Sequence, residues 1–159
     1  MWRRWPFVRQ TKLNFVRFIR LRGTPEEVAK GFALGIFIGM TPTFGFQMPI
    51  AFFFAWIFRE NKLAAILGVW ITNPLTAPFI YASEYEIGRL LLGKDRLSLP
   101  TEYSFEALKN MSWDILLPLG LGSLIFAILF GAIFYALTIR FIPELRALRV
   151  PRWPRRKQD

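Results

Sequence analysis

Five polar side chains stand where a purely structural apolar helix would carry leucine: Thr41, Thr43 and Gln47 within GMTPTFGFQMP, and Asn73 and Thr76 within WITNPLTAPFIYA. Each group comes with its own helix breakers, Pro42, Gly45 and Pro49 in the first stretch and Pro74 and Pro78 in the second. Hydroxyls and carboxamides do not titrate near neutrality, so their chemistry is binding, by donating and accepting hydrogen bonds. A proline within a helix removes a backbone N–H, frees a carbonyl one turn earlier and drives the residue before it out of the right-handed region. Such breaks gather unpaired N–H and C=O groups, which suit an ion or a polar headgroup without any buried charge. These five residues are therefore the candidate substrate-binding set. The plainer alternative is a pair of packing kinks whose polar atoms satisfy one another.

The elements around these residues are membrane-like in composition. The chain of 159 residues is 53% hydrophobic and holds 17 phenylalanines and 6 tryptophans, and its charges fall in blocks. Gly31 to Phe58, Leu63 to Ser83 and Ile115 to Ile139 carry no Asp, Glu, Lys or Arg. About 20 apolar residues suffice to cross the hydrocarbon core of a bilayer. An all-α integral membrane protein is expected, with broken or re-entrant transmembrane helices and a long C-terminal transmembrane helix.

Cysteine and histidine are both absent. That removes disulfides, thiol nucleophiles, histidine metal sites and histidine acid–base catalysis. No charged group lies within a charge-free run, and Glu84 and Glu86 fall at a boundary where solvation is the expected role. With no nucleophile–base pair and no paired carboxylates at membrane depth, neither an enzyme, a metal site nor a cofactor is expected.

Charge also orients the chain. The net charge is +10, concentrated in residues 1–30 and in the tail from Arg140, whereas residues 84–114 are net acidic. The positive-inside rule then puts both termini in the cytoplasm and 84–114 on the far side. Basic residues beside spans serve topology and attract anionic lipid, so no nucleic-acid partner is expected. The N-terminus lacks the apolar core and cleavage site of a secretory signal, and no processing is expected there.

Residues 1–23 read as a basic amphipathic helix on the cytoplasmic surface, with Val8, Phe15, Phe18 and Ile19 on one side. Thr24-Pro25-Glu26-Glu27 signals a new helix through an N-cap hydroxyl, a first-turn proline and a capping-box glutamate. The membrane domain, 24–139, then comprises broken segments 25–58 and 62–92, an extracytoplasmic segment 93–114 and a return span 115–139. Each half of the first broken segment reaches only to mid-membrane, so it is either one kinked span or a re-entrant hairpin tipped by Thr41 to Gln47. In the second, Pro74 ends one helix while Thr76 caps the next and Pro78 sits in its first turn.

Aligning Pro42 with Pro74 brings Lys30 onto Lys62 and Ala33 onto Ala65, a weak internal repeat that chance could also produce. Paired interrupted segments are the sequence pointer to a transporter-type site. The two breaks should then lie side by side at similar depth, with Thr41, Thr43 and Gln47 near Asn73 and Thr76. Lys30, Arg59 and Lys62 mark the boundary where an anionic headgroup would arrive. The tail 140–159 should be a short surface helix and a lipid-attracted segment, removable after Arg140 without loss of the fold.

The stretches GIFIGMTPTFGFQMPIA and LGVWITNPLTAPFIYASEYEIG resemble a prokaryotic membrane family, domain of unknown function number twenty sixty-two, with Pro42, Gln47, Asn73, Pro74, Thr76 and Pro78 as characteristic positions. The resemblance implies a multi-pass protein of the bacterial cytoplasmic membrane. Because some relatives are joined to glycosyltransferase domains, it also implies proximity to envelope-glycan chemistry. Two functions follow as expectations. One is a translocase or transporter-like protein for an anionic lipid-linked substrate; the other is a noncatalytic scaffold that recruits an envelope-biosynthesis protein through its basic ends.

Overall fold

The computed structural model describes residues 21–43, 45–95 and 105–147. Nearly all of the expected surface helix over 1–23, most of 93–104 and the end of the tail lie outside them. The described residues form five helices and no strand: α1 Pro25–Gly39, α2 Gln47–Ile57, α3 Lys62–Val69, α4 Ala77–Leu91 and α5 Phe105–Ala147.

α1 begins where its capping box places it. Thr24 Oγ1 accepts from the Glu27 amide at 3.2 Å while Glu27 Oε2 accepts from the Thr24 amide at 3.1 Å, which satisfies two otherwise orphaned donors. α2 turns back, so its far end meets the start of α1: the Asn61 amide donates to Glu27 O at 3.2 Å, and Lys30 lies 4.0 Å from Glu60. Arg59 makes this turn in the left-handed region, at φ 58°. Asn61 then caps α3 by accepting from the Ala64 amide at 2.8 Å.

α3 runs beside α1 in the same direction. A Cβ placed on Gly31 would strike the Asn61 carbonyl and one on Gly35 the Ala65 carbonyl, while Gly39 abuts Val69 and Thr72. From the other side, Gly68 lies against the Phe32 carbonyl and the Ile36 amide. Helices come this near only where both faces are nearly bare of side chain, as this glycine and alanine seam is.

α5 runs against both α1 and α4. Its Ile142 joins Leu21, Val28 and Ala64, its Ala127 joins Ile36 and Met40, and its Gly122 and Pro118 back onto Glu84 and Gly88. Chain direction follows from these pairings: α1 and α4 lie in succession along one long helix, both antiparallel to it. α1 and α2 form a hairpin, whereas α3 and α4 continue in one direction across their break. Among the described helices, α4 packs closely against α5 alone.

Within α5, Trp113–Glu144 spans 32 residues, long and apolar enough to cross a membrane; its most apolar stretch has a mean hydropathy of 2.3 and is 28% buried, unlike the mostly buried core helix of a soluble protein. The helix also overruns the expected return span at both ends. It continues through Arg140 and Pro143 to Ala147, and Ile142 is 1% exposed. Truncation after Arg140 would therefore remove a core residue, contrary to the sequence expectation. The basic, proline-bearing composition of the tail conceals that single buried isoleucine.

Candidate functional site at the two helix breaks

The first break is the chain between α1 and α2. Pro42 has no N–H, and the Thr43 amide bonds Thr41 O at 2.7 Å, so the last carbonyls of α1 lose their usual donors. Side chains replace them. Thr41 Oγ1 donates to Ile38 O at 2.6 Å and lies 3.0 Å from Thr43 Oγ1. Gln47, at the first position of α2 and 4% exposed, turns its amide back over the break. Its Nε2, which carries two hydrogens, has three acceptors within donating reach, Gly39 O at 3.0 Å, Thr41 O at 3.1 Å and Tyr81 Oη at 2.9 Å, so at least one N–H is shared. Tyr81, on α4, also donates to Thr41 O at 3.3 Å. Gly45, at φ 94°, supplies the left-handed turn, and Pro49 sits in the first turn of α2, where a missing N–H costs nothing.

The second break closes largely on itself. Asn73 Oδ1 accepts from the amides of Leu75 at 3.0 Å and Thr76 at 3.2 Å, and its Nδ2 donates to Trp70 O at 3.3 Å. Thr76 does not cap α4 with its side chain, as the sequence suggested. The reason is local: Asn73 captures the Leu75 amide that would have bonded Ile71 O in a continuous helix. The Thr76 hydroxyl takes that carbonyl instead, donating at 2.6 Å, and accepts from the Asn73 amide at 3.0 Å.

What joins the breaks is Thr72, whose Oγ1 donates to Gly39 O at 2.6 Å. One helix-terminal carbonyl thus receives a donor from each break, Gln47 from the first and Thr72 from the second. Thr41, Thr43 and Gln47 form one connected group with Tyr81. Asn73 and Thr76 form another, joined to the first only through the Gly39 junction and the backbone among the described residues. Both lie near the level of Ala127, roughly 20 Å of helical rise from either end of the apolar stretch of α5.

The boundary cations sit at the opposite end of α1. Lys30 is held by Glu26 at 2.7 Å, a hydrogen bond that raises the Lys30 pKa and lowers that of Glu26. Lys62 Nζ lies 5.8 Å from the centroid of the Phe52 ring. Trp56, Ile57, Arg59, Glu60 and Lys62 line an open groove of about 580 Å³. Partial burial raises the pKa of Glu60, and Lys30 opposes that shift.

Three residues at or beside the site receive no binding role from the sequence: Thr72, Tyr81 and Glu84. Glu84 was expected to be solvated at a boundary but is 0% exposed, because it packs against Gly122 one turn beyond Tyr81. A signal for it did exist. Ala77, Tyr81, Glu84 and Gly88 recur at helical spacing, and three of the four are buried.

Fold and site together define a small helical protein organised around one apolar helix of membrane-spanning length and a pair of interrupted helices that meet beside its middle. The chain belongs to the bacterial family described as "Uncharacterized protein conserved in bacteria (DUF2062)", which it matches over residues 8–150. No curated protein and no solved structure matches it.

Proposed function

We propose that the protein is a multi-pass translocase or transporter-like protein of the bacterial cytoplasmic membrane, with its polar site at the paired breaks and an anionic lipid-linked envelope compound as its substrate class. The observation that carries this reading is the junction at Gly39 O. Two separate chain breaks donate to one helix-terminal carbonyl of α1 beside the middle of the apolar helix α5, and mid-helix level is where interrupted helices of transporters hold their ligands. In membrane terms α1 and α2 are the re-entrant hairpin, α3 and α4 one broken crossing, and α5 the return, with both termini cytoplasmic. The broad apolar exposure of Phe52, Phe53, Trp56, Phe79, Leu124, Ile128 and Ile133 supports a lipid-facing surface. The conformation described is then the closed one, in which side chains occupy the groups that a substrate would engage.

A liposome assay tests this. Full-length protein is reconstituted with NBD-labelled phosphatidylglycerol, with NBD-labelled phosphatidylcholine in parallel, and inner-leaflet dye is followed by loss of protection from dithionite. Faster loss for the anionic lipid, reduced by Gln47→Leu and Tyr81→Phe in correctly inserted protein, is the expected result. Equal rates with and without protein overturn it.

The self-contained bonding of Asn73 and Thr76, together with the groove between Trp56 and Lys62 at the basic end, favours a second reading. There the protein is a noncatalytic scaffold that holds an envelope-glycan enzyme at that groove. Substitutions at Arg59 and Lys62 would then release the partner, while substitutions at the breaks would be silent.

A further inference from the structure

Glu84 is the one acidic side chain among the described residues that is wholly enclosed, and neither of its carboxylate oxygens has a hydrogen-bond partner among those residues. It sits midway along α4, in a seam where Glu84 backs onto Gly122 and Gly88 backs onto Pro118, with backbone against backbone. The facing stretch of α5, Leu117 to Phe126, offers no titratable or charged group. On its own helix the titratable neighbour toward the breaks is Tyr81, three residues earlier and so on the same face, and its hydroxyl is committed to Gln47 and Thr41. Among the described residues, no group of three or more acidic side chains gathers that could hold a metal ion.

An ionised carboxylate so enclosed would have neither counter-charge nor donor, the most unfavourable state available to it. A metal cation would need several oxygen ligands, and the seam supplies one carboxylate between helix backbones whose carbonyls are already used. The protonated acid is the species that fits. Ionisable groups within membrane spans mark proton relays or ion paths as a rule.

We propose that Glu84 is a proton-binding site in the seam between α4 and α5, and that it supplies the proton coupled to movement at the breaks. This rests on the transporter reading for its coupling but not for the proton itself. α4 packs closely against α5 alone, and Tyr81 links it by hydrogen bonds to the first break. When Tyr81 lets go and α4 parts from α5, water reaches Glu84. The carboxyl O–H bond then breaks, its proton passes to water as hydronium and the carboxylate remains solvated; closure requires the proton back. Proton release is thereby tied to the same motion that uncovers Gln47, Thr41 and Gly39 O.

Infrared spectroscopy of the full chain in lipid nanodiscs reads the proton directly. At neutral pH the wild type should show the carbonyl band of a protonated carboxylic acid in an apolar setting, absent from Glu84→Gln. Dicyclohexylcarbodiimide, which attacks protonated carboxyls from the lipid phase, should modify the peptide containing Glu84. Absence of that band at neutral pH, or its persistence in Glu84→Gln together with no labelling, overturns the proposal whatever the lipid assay shows. Coupling is read by imposing a pH gradient on the liposomes. NBD-phosphatidylglycerol flux should respond to it in the wild type and lose that response, without losing all flux, in Glu84→Gln; a wild-type flux indifferent to the gradient refutes coupling. A Glu84 band with no flux in any protein leaves the proton site standing and removes the transport reading.

Discussion

Gly39 O offers a measurement in which two small losses should combine into a large one. Pro42 has no N–H to give this carbonyl and Thr43 directs its amide to Thr41 O, so the two side-chain donors are Gln47 Nε2 at 3.0 Å and Thr72 Oγ1 at 2.6 Å. Thr72→Val removes one donor and leaves the other, which at about 0.6 kcal/mol per hydrogen bond inside a membrane protein is a minor loss. Gln47→Leu removes up to three contacts and should cost about 2 kcal/mol on the same scale. Thr41 O keeps Tyr81 and Gly39 O keeps Thr72, so no carbonyl is stranded by either change alone. The double variant strands Gly39 O in an apolar interior, which adds about 1–3 kcal/mol beyond the sum of the singles. Reversible unfolding in mixed micelles with increasing dodecyl sulfate measures all four proteins, with Ser83→Ala on Thr72→Val as an exposed control that should simply add. Additivity of Gln47→Leu and Thr72→Val within about 0.5 kcal/mol would refute a shared carbonyl and separate the two breaks.

Gly35→Ala places a methyl against the Ala65 carbonyl, which cannot rotate away, so the α1–α3 seam must open; about 1–3 kcal/mol of destabilisation is expected by the same unfolding assay. Single cysteines at Ser104 and Gln158, in a chain with no native cysteine, should label from opposite faces of the membrane with an impermeant maleimide. The pKa of Glu60 is raised above 4.5, chiefly by burial, so the folded protein binds the extra proton; stability falls as pH rises from 4.5 through the folded value, and Glu60→Gln should flatten that fall. Glu26 is shifted the other way by Lys30, so its small contribution should disappear as pH drops below 4.5. Truncation after Ala147 should preserve membrane assembly, whereas truncation after Arg140 should weaken it through loss of Ile142, as judged by protease resistance of the inserted chain.

The start of α1 was legible because a capping box is local chemistry written in four adjacent residues. The breaks were legible for a related reason, since proline acts on its own neighbours whatever the tertiary context. Thr72, Tyr81 and Glu84 were not, because their roles depend on which helices run side by side and in which register. Glu84 is the clearest case. Its neighbourhood in sequence, with Glu86 and Arg89, reads as a charged boundary, and Arg89 does pair with Glu86 at 2.6 Å. The helical spacing of Ala77, Tyr81, Glu84 and Gly88 marks a shared face, but the offset by which α4 lies along α5, and so sets Glu84 against Gly122, is not written within α4. Thr76 shows the converse error: a favourable cap residue was assigned its usual partner, when Asn73 had already altered which carbonyl was free.

The glycine and alanine seam between α1 and α3 acts as a ruler. Gly31 on Asn61 and Gly35 on Ala65 leave the two backbones no slack, so the height at which Thr72 meets Gly39 is set by chain shape before any hydroxyl makes its bond. Inserting a single residue into the turn at 58–61 would slide α3 by about 1.5 Å and rotate it by about 100°, bringing side chains onto the carbonyls of α1. The polar groups at the breaks can therefore exchange partners, or release them, while both breaks keep their level.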